Sequence, residues 1–432
     1  MEQLLHYVWK HKMFPLKQLK TIQGDNVEVI DTGLSNQDAG PDFFNAKIKI
    51  AEILWVGNVE IHNKASEWYE HNHHKDENYN NIILHVVNIS DTIVIKQNGE
   101  IPPQIILPIP TIVQNNYKGL LSTNKFPPCY KIIPTLNKLK VHSWMNTLQI
   151  ERLKQQTIKI NQRLYSLNGD WEATYFTSLS RNFGFGINGD AFEQWAKSIP
   201  MQVIAHHQDS EQQIEAIFLG QAGLLEISTI PKRHQNEAID DEYFQRLKAE
   251  YKYLAYKFKL KPINPKLWKF LRLRPQNFPQ IRISQIANLA IERKIGLSLI
   301  FDCKKIEDVI NLLQTNVTKY WQTHYSFGLI SKLNKKTITP SSIQLLIINT
   351  IIPMLFAYGQ YKQLENLTNR ALDFLEQLKP ENNNIIRIWK DIGMNIENAG
   401  DSQALIQLKK NYCDKKDCLR CRIGYEFLKQ GQ

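Results

Sequence analysis

Long apolar runs are the first thing this chain of 432 residues lacks. The best candidates, 105–110 and 345–355, are short of the ~18 residues a bilayer crossing needs, and Pro353 interrupts the second. No membrane span and no membrane partner are therefore expected. Residues 1–15 carry lysines but neither an uninterrupted apolar stretch nor a small-residue cleavage site, so a secretory signal is not expected and a cytoplasmic location is. Cysteine is also scarce. There are five, an odd number, and three crowd into 413–421, which argues against a disulfide framework and for metal binding or reduced thiols. No repeat of fixed period is visible, which disfavours a solenoid. Nor is the composition extreme: 43% hydrophobic and 22% charged residues favour neither a disordered nor a fibrous class.

What is present is an uneven distribution of charge. The first 100 residues hold 9 lysines against 14 acids, a balance of −5, whereas the whole chain is +11, so the remainder is +16. A basic body beside an acidic region suits a polyanionic partner, and nucleic acid is the one expected. At roughly 150 residues per domain, the length calls for two or three cores.

Residues 3–19 read as a short helix broken at Pro15, with Leu4, Leu5, Val8 and Trp9 on one face. Strands are expected at 27–32, 45–53, 54–62, 82–88 and 92–96. Between 65 and 80 the pattern lapses, and Ser66 could cap a helix there. Residues 101–134 hold seven prolines and read as an extended connector. From 136 onward helical periodicity dominates, most clearly at 141–165. The expected class is α+β: a small N-terminal mixed α/β sheet domain (1–110), a proline-rich connector (111–135) and a larger, mostly α-helical domain (136–432) with the cysteine cluster near its end.

The chemically informative stretch is 36–87. Gly40-Pro41-Asp42-Phe43 is a turn that leads into a strand and places an Asp at the strand mouth. Side chains alternate along a strand, so Glu60 and His62 share one face while Val59 and Ile61 share the other. Asp42 and Glu60 together can hold Mg²⁺ or Mn²⁺, and such an ion promotes phosphodiester hydrolysis. His71, His73, His74, Asp76 and Tyr79 follow, ahead of the apolar run that contains His85. Asp76 and Tyr79, three apart, can share a helix face; alternatively His71, His73 and Asp76 bind a transition metal directly. A noncatalytic alternative reads the same polar cluster as a hydrogen-bonded core that fixes strand register in a protein-interaction scaffold.

Cys413, Cys418 and Cys421 need one more ligand to close a zinc site or an iron–sulfur cluster, and Cys129 is the expected fourth. Cys303 sits in an apolar helical context and reads as an ordinary buried thiol. Among the basic residues, Arg152 and Lys154, with Lys159 and Trp144 on the same long helix, suit a nucleic-acid face. Arg272 and Arg274, with Arg282, flank the segment 275–279 and are candidates for phosphate contacts.

The order helix, three strands, helix or loop, strand, with Pro41-Asp42 and Glu60-Ile61-His62, resembles the PD-(D/E)XK nuclease superfamily. The resemblance implies a metal-dependent nuclease in which Asp42 and Glu60 hold the ion and His62 orients water or the scissile phosphate. His62 stands where that superfamily usually has lysine. Asp76 and Tyr79 resemble the polar residue and tyrosine that RecB-like nucleases turn toward the site. Iron–sulfur nucleases of that type also tie one distant cysteine to three near the end, although there the lone cysteine precedes the nuclease core. Segments 36–43, 55–62, 71–87, 274–279 and 402–424 together resemble a bacterial family catalogued as domain of unknown function 2851, a name that implies no activity.

Overall fold

The computed structural model describes residues 1–15, 19–36 and 38–430, so the expected helical tail at 16–18 lies outside the described residues. The chain is α+β and divides into two compact units. The first comprises 1–144, 388–394 and 408–432; the second comprises 145–387 and 395–407. The cysteine-bearing C-terminal segment thus belongs to the sheet-containing unit, not to the helical one.

In the first unit, α1 (Glu2–Lys10) precedes β1 (Val27–Asp31), β2 (Leu34–Ser35), β3 (Phe43–Ile50) and β4 (Ile53–Lys64). A crossover of one short helix, α2 (Glu67–Glu70), and two 3-10 turns leads to β5 (Ile82–Ile89) and β6 (Gln104–Ile106). The sheet order is β1-β3-β4-β5-β6, with β2 also paired to β3. β1, β3 and β4 run antiparallel in turn, while β5 and β6 are parallel to β4. Leu4, Leu5, Val8 and Trp9 of α1 are buried, and the Trp9 indole donates to the Thr32 carbonyl. In β3, Asn45 and Lys47 are exposed while Ala46, Ile48 and Ile50 are buried, the alternation of a strand with one wet face. In β5 the run from Ile82 to Val87 is buried throughout, as befits a strand flanked on both edges.

Two expectations are corrected here. Residues 92–96 form no strand: the Ile93 and Ile95 carbonyls are taken by the Tyr69 hydroxyl and the Trp68 indole, and the last strand is β6 instead. The connector is not extended throughout, because Thr111–Ser122 is a helix, α3, entered at Pro110. No proline lies between 111 and 126, so the helix meets no break. Ser66 precedes α2 without capping it, its hydroxyl donating to Asp91.

The second unit is helical apart from a small hairpin, His324–Ser326 with Leu329–Ile330. The helices Glu211–Gln221 and Glu242–Phe258 pack so closely that a Cβ on Gly220 would lie 2.2 Å from the Tyr251 ring. The continuous helical segment Pro340–Lys362 is long and apolar enough to cross a membrane, with a hydropathy of 1.6, because its apolar character extends beyond 345–355. Its most apolar window is 72% buried in the protein. Glu215 is fully buried in this unit, accepting from the hydroxyls of Thr318 (2.5 Å) and Tyr243.

Two stability predictions follow from these features. The β3–β4 hairpin turns through Ala51 and Glu52, both left-handed (φ 47° and 68°), a geometry that favours Asn-Gly. Ala51→Asn with Glu52→Gly should stabilise the protein by about 0.5–1 kcal/mol, read as a shift in denaturant midpoint; a lower midpoint would contradict the strain. Burial pushes Glu215 up to about 7, so its contribution to stability declines as pH rises from the ordinary carboxylate range near 4.5 to 7. Glu215→Gln should flatten that part of the Tm-against-pH curve, removing a slope worth about 3 kcal/mol across the interval. Identical curves for the variant and the native chain would show that Glu215 does not titrate there.

Candidate metal centre

β4 and β5 position the site between them. Their parallel register sets Glu60 beside His85 and His62 beside Val87. The crossover then returns over that face, bringing Trp68, His71, His73 and Tyr79 against it. One nitrogen from each of His62, His71 and His73 lies within 4.8 Å of the others. Nε2 of His62 is 3.2 Å from Nδ1 of His71, and Glu60 Oε1 is 3.1 Å from Nε2 of His73 and 3.6 Å from Nε2 of His62. Ligands held ~2.1 Å from one ion stand roughly 3.0–3.4 Å apart, a range that the His62–His71 and Glu60–His73 pairs match and the other pairs approach. His62, His73 and Glu60 are buried, whereas His71 is exposed and opens the cluster to solvent. Nε2 of His73 is buried without a hydrogen-bond partner of acceptable geometry, aimed at Glu60, while its ring stacks on Tyr79 at 3.9 Å.

A hydrogen-bond chain sets the tautomer of His62. Gln104 Nε2 donates to the Ser90 hydroxyl at 2.8 Å, which presents Oε1 to Nδ1 of His85 at 3.1 Å. His85 Nδ1 therefore carries the proton, and its Nε2 accepts from His62 Nδ1 at 2.9 Å. That leaves the lone pair of His62 Nε2 facing the cluster, the outer-sphere arrangement that orients metal-binding imidazoles. Burial keeps both rings neutral, pushing His62 down to about 2 and His85 to about 4. His73 is also lowered by burial.

The carboxylates are neighbours. The Asp42 backbone N–H donates to Glu60 Oε2 at 3.2 Å, and Asp42 Oδ2 accepts from the Ile61 N–H at 2.9 Å and lies 3.6 Å from His6 Nε2. Burial raises both acids, and the Asp42 charge raises Glu60 further. The turn that carries Asp42 is held by Asn36, whose amide donates to the carbonyls of Asp38, Ala39 and Pro41. Asp42 thus stands behind Glu60, and the tight ligand set is imidazole.

The other candidates fall as follows. Tyr79 stacks on His73, but Asp76 is directed to the Asn78 N–H, where it caps a 3-10 turn. The Arg152 guanidinium is part-buried and donates to Gln403, while Lys154, Arg272 and Arg274 are exposed on the second unit. Arg282 is buried, bonded to Asn277 and Gln285 and stacked on Phe185. Trp144 is core in the first unit. Sequence reasoning did not find His6 or Gln104. His6 interrupts an apolar helix face only as one polar residue, and Gln104 lies among prolines, so neither carried a pattern.

A groove of about 850 Å³ in the same unit reaches His6 and Phe43, the flanks of Asp42. Lys10, His11, Lys415, Lys416 and Arg420 line it against Glu2 and Asp417.

Fold and site together define a mixed-sheet unit whose parallel strand pair carries a histidine–glutamate cluster, continued by a helical unit. The chain belongs to the DUF2851 family, described as a protein of unknown function, whose model matches residues 2–384. No curated protein and no solved structure matches it.

Proposed function

We propose that this protein is a metal-dependent hydrolase of nucleic-acid phosphodiesters, with His62, His71, His73 and Glu60 as the ion's ligands. The observation that carries the reading is the convergence of His62, His71 and His73 beside the buried side chain of Glu60. Three imidazoles and one carboxylate favour Mn²⁺, Fe²⁺ or Zn²⁺ over Mg²⁺, which prefers oxygen. An ion held there supplies Lewis acidity toward water and a phosphate oxygen. The likeness to PD-(D/E)XK nucleases rests on strand order and direction together with the placement of Asp42 and Glu60. In that comparison His62 takes a different role from the usual lysine. Its Nδ1 proton is engaged by His85, so Nε2 accepts or ligates and cannot donate to phosphate. The positive charge that a scissile phosphate needs comes instead from the groove, where Lys10, Lys415, Lys416 and Arg420 bind the strand. Asp42, fixed by the Ile61 N–H, holds His6 at the groove end of the site.

The test is incubation of the full chain with single- and double-stranded DNA and RNA and Mn²⁺, Zn²⁺ or Mg²⁺. Cleavage should be best with Mn²⁺ or Zn²⁺, stop with chelator, and fall at least ~100-fold in Glu60→Gln and His71→Ala. Absence of cleavage with every ion, or undiminished cleavage by both variants, rejects the assignment. Gln104→Leu breaks the chain that sets the His62 tautomer and should weaken Mn²⁺ or Zn²⁺ binding about 10–100-fold by titration calorimetry. Unchanged affinity would remove Gln104 from the site.

A further inference from the structure

Arg282, in the helix Pro279–Ile291 of the second unit, is only 7% exposed. Its Nη1 donates to Gln285 Oε1 at 2.9 Å and its Nη2 to Asn277 Oδ1 at 2.6 Å, while Nε is buried with no partner. A guanidinium carries five N–H donors, so most of them remain unused here. Both partners are neutral amides. Among the described residues no carboxylate forms an ion pair with Arg282, whereas Arg163 and Arg181 share Glu193. Burial lowers the guanidinium only to about 10, so it stays a cation at neutral pH. A buried charge with no counter-charge is costly to fold. Helix side chains lean toward the N-terminus, and the bond to Asn277, ahead of the helix, places this cation at the positive end of the helix dipole.

The guanidinium borders a cavity of about 280 Å³ lined also by Phe183, Phe185, Phe192, Asn188 and Asn277. The Phe185 ring stacks on it at 4.5 Å and does so from φ +41°, a conformation that bulky residues rarely adopt. Asn188, 3% exposed, is locked by both ends of its amide to the Lys269 backbone, at 2.8 and 2.9 Å. Gln285 is likewise fixed, because its Nε2 donates to the Lys336 carbonyl at 2.7 Å and so turns Oε1 toward Arg282. Asn277 accepts from Nη2 with its oxygen, which leaves its amide nitrogen a donor with no partner among the described residues. The cavity thus joins aromatic rings to an uncompensated cation and free donors. An oxyanion on a small apolar body satisfies each of these.

We propose that this cavity binds a small organic oxyanion, a carboxylate or phosphate on an apolar body, whose charge is paired by Arg282. The proposal is independent of any hydrolytic activity. Titration calorimetry on the full chain should show saturable binding of benzoate or phenyl phosphate with Kd below ~1 mM, and binding of neutral benzamide at least ~10-fold weaker. The tighter of the two anions identifies the headgroup. Arg282→Gln should bind neither. Asn277→Asp places a carboxylate where Oδ1 now accepts at 2.6 Å and supplies the missing charge from within the chain. That variant should weaken anion binding at least ~10-fold and raise the Tm of the unliganded protein by about 2–4 °C, so its folding is read in the same experiment. No saturable binding of either anion to the native chain would overturn the proposal. So would benzamide binding as tightly as the anions, or Asn277→Asp with unaltered binding and no rise in Tm.

Discussion

The parallel pairing of β4 with β5 is the constraint from which the rest of the first unit follows. Parallel neighbours cannot be joined by a tight turn, so the chain must cross over the sheet face between Lys64 and Ile82. That crossover supplies Trp68, His71, His73 and Tyr79. The register is fixed where the two strands begin. Asn58 donates to the Asn81 side chain at 2.9 Å and accepts from the Asn45 N–H at 3.3 Å. Gly57 lets the strands close, since a Cβ there would lie 2.4 Å from Ile83. A slip of one residue would turn Glu60 and His62 to the opposite face and disperse the cluster.

Given that register, the electrostatics of the cluster are unusual. A buried Glu60 stands beside a half-buried Asp42, and burial lowers the two imidazoles nearest Glu60, His62 and His73. Glu60, raised to about 9 by burial and by the Asp42 charge, does not draw a proton onto the histidine beside it. Instead the Ser90, Gln104 and His85 chain commits His62 to a neutral tautomer with its lone pair inward. A histidine in that tautomer offers a lone pair, whereas a lysine at the same position would be a cation. Under the proposed hydrolase reading, the charge of a phosphate would then fall to the basic groove beside Asp42.

Much of this was legible in the sequence because strand alternation and turn chemistry are local. Asp42 before a strand, Glu60 and His62 two apart, and the histidine-rich crossover were each readable from their neighbours. The long helix 138–166 extends the expected 141–165 at both ends. What could not be read was set at long range. His6 reaches Asp42 only because α1 packs near the strand mouth, and Gln104 reaches His85 only because β6 pairs in parallel with β5. The apparent strand at 92–96 had the right residues, but its carbonyls were claimed by two crossover aromatics. The C-terminal segment carries no pattern that says which unit it joins.

That segment is built into the first unit. The side chain of Asn116, on α3, donates to the carbonyls of Phe427, Leu428 and Gln430, and Lys140 pairs with Glu426 at 2.6 Å. These contacts anchor the helix that follows Cys421, and the Lys416 ammonium, bonded to the Leu121 carbonyl, ties down the loop between Cys413 and Cys421. Lys415, Lys416 and Arg420 lie on that loop, exposed, and they form part of the basic wall of the groove at Asp42. The backbone bonds from Lys416 to the Cys413 carbonyl and from Asp417 to the Tyr412 carbonyl shape that loop, and so set where its cations stand in the groove wall.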